Sequence, residues 1–363
     1  MKSDLLVPAI RRRMDTGIRL AGAALLLAAA AFGCRSAGWG RGGPSPRTLA
    51  ESHFQRAVRL TQSGKRERAR EALQTALDTD PDHLASRLFL AGLLRGAGEA
   101  TTALAAYDQA VATAARRGDA ADQVMALGNR ADCLLEQGRY GEAEADLDRA
   151  LAVKPEEVAL QFKRGECRMA QRNFSGALDD FTLAARLAPH RPDVWMRRGD
   201  CLAALSRFQD AAADYTVALE RAPRDAGLAA RRAAAWEAAG DLNAALADYA
   251  RALDLDPDDF RRWYDRGMIY LMLGQPTAAA ADFDQALKRD SRRPEIRMGR
   301  GLAYEMAGDD GRALREYEQA LALDPDFAPA ARERERVLTR AGSVPVQPLR
   351  PGRFEVDAPA PAE

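Results

Sequence analysis

Four cysteines and three histidines are the most reactive side chains of this sequence: Cys34, Cys133, Cys167 and Cys201, with His53, His83 and His190. A zinc site needs such ligands in close pairs, as Cys-x-x-Cys or as histidines a helical turn apart. Neither pairing occurs. A hydrolase needs a nucleophile, a base and an orienting group in one cleft. The sequence has no Gly-x-Ser-x-Gly, no phosphate-binding loop and no His-Glu-x-x-His. The histidines fall in separate turns. Cys133, Cys167 and Cys201 recur at a spacing of 34 residues, each preceded by an acid, Asp132, Glu166 or Asp200. Equal spacing puts them at equivalent places on successive elements. Packed helices lie roughly 8–10 Å apart, and a disulfide needs Cα atoms within about 7 Å. They read as small core residues. The expectation is no catalytic residue, no metal, no cofactor and no small-molecule substrate.

Charge follows the same spacing. Arginines stand at 130, 164, 198, 232, 266 and 300, and acids at 146, 180, 214, 248, 282 and 316. Each arginine thus has an acid in its own repeat unit. The pairing predicts ion pairs between two helices of one unit, with an anion-binding stripe as the sharper alternative. The whole chain carries 53 basic and 53 acidic residues, and this balance argues against a nucleic-acid partner, which needs cations in excess.

These spacings imply elements that repeat. Of the 363 residues, 47% are hydrophobic but only 6% aromatic, with abundant alanine, which favours helix over sheet. Units of 34 residues start at Ala50 and Leu84, then, after an insertion of Gly118 to Gln123, at Val124, Val158, Pro192, Ala226, Phe260 and Pro294. Eight units fill residues 50–327. The twentieth position is alanine in every unit, from Ala69 and Ala103 to Ala279 and Ala313. The twenty-seventh is also always alanine, from Ala76 to Ala320. The eighth is Ala or Gly, and the twenty-fourth is large: Leu73, Tyr107, Leu147, Phe181, Tyr215, Tyr249, Phe283 and Tyr317. Small residues let two helices approach, and the large one fills the space beside them. Six glycines, among them Gly64 and Gly308, sit where a left-handed C-cap is wanted, with Arg172 and Ser206 as departures. Prolines such as Pro81 and Pro257 end the second helix, with Ala115 and Ser291 as departures.

These columns resemble the tetratricopeptide repeat family over about three quarters of the chain. The resemblance implies an all-α, right-handed superhelical solenoid of eight helical hairpins, with 328–342 as a polar capping helix. Residues 343–363, with five prolines, read as a disordered tail. The resemblance also implies a concave groove lined by positions two, five, nine, twelve and thirteen of each first helix. Those positions hold all the methionines beyond Met14: Met125, Met169, Met196, Met268, Met272, Met298 and Met306. Phe54, Leu88, Leu135, Phe162, Tyr264, Leu271 and Leu302 join them. Methionine repacks around varied partners, so the expectation is an apolar groove for a peptide or helix, densest in the last two units. The alternative is that these side chains fill gaps between helices. Family members that clamp a carboxylate tail use Lys, Arg and Asn on this face, and that set is absent.

The N-terminus carries a separate signal. Arg11, Arg12, Arg13 and Arg19 precede an apolar run, LAGAALLLAAAAFG, at 20–33. The run is short for a bilayer span of roughly 20 residues and reads as a signal peptide over 1–33, with Met14 as an alternative start. Its end, Ala31-Phe32-Gly33-Cys34, resembles the bacterial lipoprotein box, which implies a lipid on Cys34. Residues 34–49 then form a Gly, Ser and Pro-rich tether. The resemblance implies an exported lipoprotein facing the periplasm. No Asp follows Cys34, which favours the outer over the inner membrane; an uncleaved signal anchor is the alternative. The expected function is a protein-interaction scaffold of the cell envelope. An adaptor presenting substrates to an envelope protease or peptidoglycan enzyme is the second reading.

Overall fold

The residues that recur every 34 positions are the ones the structure closes off from water. A computed structural model describes residues 44–340 and 342. Every regular element among the described residues is an α-helix. The chain divides into two units after Pro189. The first holds four hairpins: α1 (Pro46–Gln62) with α2 (Arg66–Thr79), α3 (Leu84–Gly96) with α4 (Ala100–Arg117), α5 (Ala120–Glu136) with α6 (Tyr140–Val153), and α7 (Val158–Ala170) with α8 (Phe174–Leu187). The second holds α9 (Pro192–Ala204) with α10 (Phe208–Arg221), α11 (Ala226–Ala239) with α12 (Leu242–Leu255), α13 (Phe260–Met272) with α14 (Pro276–Arg289), and α15 (Pro294–Met306) with α16 (Asp310–Leu323). A last helix, α17 (Ala328–Arg340), closes it. Within each unit every helix packs on the next in sequence. Each unit is a helical solenoid of repeats.

The packing explains the columns. The alanines of the eighth, twentieth and twenty-seventh positions are all fully buried, and the large twenty-fourth residues are at most 3% exposed. At Gly165 an added Cβ would lie 2.7 Å from the Phe181 ring, so the ring occupies the room that the missing side chain leaves. Clusters follow the repeats. Phe54, Leu73 and Val58 pack on Phe89 in the first unit, and Leu271, Phe283 and Ile296 form the centre of a cluster in the second.

Ion pairs tie the layers together. Arg130, Arg232 and Arg266 each make two N–H···O bonds of 2.6–2.8 Å to Asp146, Asp248 and Asp282, which lie across their hairpins. Arg164–Asp180, Arg198–Asp214 and Arg300–Glu316 repeat the pairing. The acids are buried, and the forked guanidinium matches a carboxylate edge to edge. A second bond was not foreseen. The Nη1 group of Arg130, Arg164 and Arg300 also reaches Asp108, Asp148 and Asp284 on the second helix of the preceding hairpin. Arg232 reaches Thr216 in the same way. One side chain thus holds its own hairpin shut and fastens it to its neighbour.

Helix ends follow local chemistry, with some differences from expectation. The tether predicted for 34–49 ends earlier, because α1 begins at Pro46, with Ser45 as N-cap accepting the Thr48 N–H at 3.2 Å. The insertion at 118–123 is not a loop. It lengthens α4 to Arg117 and starts α5 at Ala120, with only Gly118 and Asp119 between. Ala115 stands where other repeats have proline, so nothing stops α4 there. The signal peptide, Cys34 and nearly all of the tail lie outside the described residues. The closing helix ends at Arg340, two residues short of its expected end. Its Val337 packs on Tyr317, and Arg336 and Arg340 both reach Glu305.

Arg172 and Ser206 stand in the hairpin turns at φ of 62° and 60°, where the other repeats place glycine. The left-handed conformation costs a side-chain-bearing residue roughly 1–2 kcal/mol. Arg172→Gly and Ser206→Gly are therefore expected to stabilise the fold by about 0.5 kcal/mol each, after the added freedom of the unfolded chain is offset. Chemical denaturation of each variant reads this directly, and a loss of stability contradicts it. Removing one partner of a buried pair has the opposite sign. Asp248→Ala leaves the Arg232 charge without its carboxylate and is expected to cost about 2–3 kcal/mol, less than a fully buried pair because the guanidinium keeps some water. The double change Arg232→Met with Asp248→Leu should recover most of that loss in the same measurement.

Candidate partner-binding surface

The first helices of the two units present different surfaces. In the first unit the face holding positions nine and twelve is ionic. Lys163 Nζ lies 2.7 Å from Asp132 of the preceding repeat, and Arg95 stands 3.9 Å from both Asp132 and Glu136. Phe162 is half-buried, with its ring edge-on to Phe181 at 5.4 Å between centroids. Met169 is half-buried too. In the second unit, Arg197 and Arg231 flank Asp200, whose carboxylate also accepts the Tyr215 hydroxyl. The face then turns to alanine in α11, with Ala234 and Ala238 exposed, and to methionine in α13 and α15.

The methionines of those two helices divide by depth. Met272 is 57% exposed and Met306 is 52% exposed, the most exposed large apolar side chains of the described residues. Each ends its helix at the thirteenth position, and α13 and α15 touch directly. Tyr264 and Met268 are half-buried against Phe283 and Ile296, and Leu302 joins them. Met298 and Leu302 also rest on Tyr317 and Val337. Four predicted groove residues are corrected, with Phe54 and Leu88 of the first unit only 5% and 1% exposed. Met196 is 5% exposed and Leu271 is 8% exposed, so both belong to the packing rather than to a surface that a partner can touch. For Leu271 the reason is its neighbour: it sits in one cluster with Ala279 and Phe283 of the following helix.

The setting of this apolar strip is acidic. Burial first, then the charges of Asp265, Glu295 and Glu237, push the Tyr264 phenol up to about 12. The phenol therefore keeps its proton at neutral pH, and those carboxylates stand close to it. Glu237 accepts the Tyr249 hydroxyl at 3.3 Å, and Glu305 accepts that of Tyr317 at 3.0 Å. The strip combines accessible thioethers with an aromatic floor, and acids beside it are held by arginines: Glu295 by Arg293 at 3.8 Å, and Glu305 by Arg336 at 2.9 Å and Arg340 at 3.2 Å. Sequence periodicity located its residues; the acids at position twelve, Glu237 and Glu305, recur with a tyrosine at position twenty-four.

Cys133, Cys167 and Cys201 are buried and unbridged. Burial is the main cause that pushes the Cys167 thiol up to about 12, with Glu144 and Glu166 adding to it. Among the described residues no group of three or more His, Cys, Asp or Glu side chains could hold a metal. Iodoacetamide at about pH 8, where an ordinary exposed thiol near pKa 8.5 reacts readily, is expected to leave these three unmodified in the native chain. All three should react in denaturant, and peptide mass mapping distinguishes the two states. Rapid native modification of Cys167 contradicts the packing described.

Comparison with known proteins agrees with this architecture. Residues 82–156, 129–192, 168–226, 196–260, 232–298 and 294–327 each match the tetratricopeptide repeat family. A search of curated proteins finds no match. Among solved structures, a tetratricopeptide repeat protein from Parabacteroides merdae is similar at 20% identity and a TM-score of 0.50, over 70% of this chain and 98% of that one. The Pseudomonas aeruginosa pilF protein is similar at 22% identity and a TM-score of 0.50, over 60% of this chain and 96% of that one. Likeness at this identity speaks for the fold alone. With the matched segments running from 82 to 327 and the buried columns continuing through them, this chain belongs to the tetratricopeptide repeat family.

Proposed function

We propose that this chain is a protein-interaction scaffold of the cell envelope that holds an apolar segment of a partner on the last two repeats. Repeats of this family generally serve as protein-binding scaffolds. The observation that carries the finer reading is the pair of exposed methionines, Met272 and Met306, on adjoining helices above a half-buried floor of Tyr264, Met268, Met298 and Leu302. Two thioethers left in water on adjacent helices are an unusual use of surface. Methionine adapts to partner shape at little cost because it is unbranched and polarizable. A peptide or amphipathic helix laid along α13 and α15 would cover both.

The envelope part of the proposal rests on the sequence ahead of the repeats. Basic residues, a short apolar run and Gly33-Cys34 support export and a lipid at Cys34, with the repeats facing the periplasm. No described helix is long and apolar enough to cross a membrane. Binding rather than catalysis is favoured because proteins of this family are generally non-catalytic scaffolds. An adaptor that presents captured segments to an envelope protease or peptidoglycan enzyme would use the same strip, with short-lived rather than lasting complexes.

Cross-linked capture from host membranes, comparing the unmodified chain with Met272→Glu plus Met306→Glu, tests the strip. Both side chains are exposed, so thermal unfolding should be nearly unchanged. The partner bound through this face should fall by at least about tenfold, the effect of losing two apolar anchors worth roughly 1 kcal/mol or more each. Retention of every partner by a folded double variant overturns the assignment of the strip.

A further inference from the structure

Charge is distributed unevenly in the first repeat. From Arg47 to Arg70 the chain carries seven arginines and lysines against two acids, Glu51 and Glu67, although the whole chain is neutral. Glu51 lies 3.2 Å from His83 Nε2, while Glu67 is largely exposed with Arg70 at 4.0 Å. Arg70 is in turn held by Glu99 at 2.7 Å. The other cations behave differently. Arg56, Arg59, Lys65, Arg66 and Arg68 are exposed, and none of their side chains makes an ion pair or hydrogen bond among the described residues. The ladder arginines of the later repeats, by contrast, are each held by one or two acceptors.

The five cations also share a place. Arg56 and Arg59 lie on the last turns of α1, on the side away from its buried residues Ala50, Phe54, Ala57 and Val58. Lys65 caps α2, and Arg66 and Arg68 lie in its first turn. At 1.5 Å per residue the whole set sits within about 10 Å of the hairpin turn along the helix axes. The next acid in the sequence, Glu71, is one turn further along α2. This is a concentrated positive surface at the end of the repeat array through which the chain enters. Cys34 precedes α1 by a dozen residues, a span of at most about 40 Å when extended.

We infer that this basic end of the first repeat docks on a membrane surface through anionic phospholipid headgroups. The inference rests on the proposed lipid at Cys34, which would hold the first repeat within a tether's length of a bilayer. A lipoprotein-type lipid at Cys34 would anchor the chain by itself, and a basic patch within reach of the bilayer would set how the first repeat lies on it. Lysine and arginine near an anionic surface are each attracted to it, and the attraction fades within a Debye length. Docking would use the first hairpin for the bilayer and leave the methionine strip of the last repeats to a protein partner.

The test is vesicle flotation of the full chain carrying Cys34→Ser, so that no lipid contributes. Phosphatidylcholine vesicles with about one-third phosphatidylglycerol are compared with pure phosphatidylcholine, at roughly 50 and 500 mM salt. Any contribution of the apolar N-terminal run appears equally with every variant and is subtracted by comparison. The expected result is stronger binding to the anionic vesicles at low salt, reduced at least about tenfold by Arg59→Glu, Arg66→Glu and Arg68→Glu together. The matched triple Arg→Lys change should retain binding, because the headgroup responds to charge. If charge reversal lowers the melting temperature, the triple Arg→Gln variant reads the same loss. Equal binding to both vesicle types, or anionic binding that survives loss of the three charges in a folded chain, overturns the inference and leaves the patch to an acidic protein. Mass spectrometry of Cys34 in the unmodified chain reports the lipid anchor separately, so failure of the anchor and failure of the docking surface are distinguishable.

Discussion

Close approach of the two helices in each hairpin is the constraint on which the rest depends. Three columns of alanine or glycine bring the backbones together, and one large side chain per repeat fills the gap beside them. Alanine loses no rotamer freedom on burial, so the seam orders few side chains. What it lacks is specificity, since alanine against alanine tolerates sliding. The large twenty-fourth residue supplies that, because Phe181 or Tyr317 fits only where the facing helix leaves room at Gly165 or Gly301. A solenoid of such units is then stabilised by contacts between neighbours, with no need for a distant core.

The arginine ladder acts on top of this seam. A buried carboxylate would be costly alone, and the guanidinium beside it is held by two short bonds. The net stabilisation from such a pair is modest. Its larger effect is on register: a planar fork meets a carboxylate in one orientation, and a shift of the helices breaks both bonds. The additional bond to the preceding hairpin, through Asp108, Asp148, Thr216 or Asp284, extends the same demand from one repeat to the next within a unit. Where no acceptor stands at that place, as at Ala250, the arginine is satisfied within its own repeat.

Packing this regular frees the surface for differences. The seam and the ladder use the same positions in repeat after repeat, while the exposed positions of the first helices vary from ionic in the first unit to apolar at the end of the second. The two units differ in kind. The first hairpin exposes cations that make no ion pair among the described residues, and the α13 and α15 strip exposes thioethers. A scaffold built from repeats can carry two unlike surfaces because each repeat is stabilised locally and a change on one face disturbs little elsewhere.

The sequence by itself determined the repeat length, the starts of six of the eight hairpins, the buried columns and the pairing of each ladder arginine with an acid. It did so because a 34-residue period multiplies weak preferences: one alanine says little, but eight in a column describe a helix contact. It also marked Arg172 and Ser206 as exceptions, and the structure shows both in the left-handed conformation that glycine would take. Only the tertiary structure decided which groove residues stay open to water. Met272 and Leu271 are sequence neighbours on one predicted face, yet one is exposed and the other is closed in against Phe283. Helical periodicity gives the direction of a side chain around its own axis, whereas burial depends on how near the next helix comes. That nearness is a property of two elements together and has no period in either sequence. The second bond of Arg130, Arg164, Arg232 and Arg300 and the lengthening of α4 and α5 by the insertion belong to the same class.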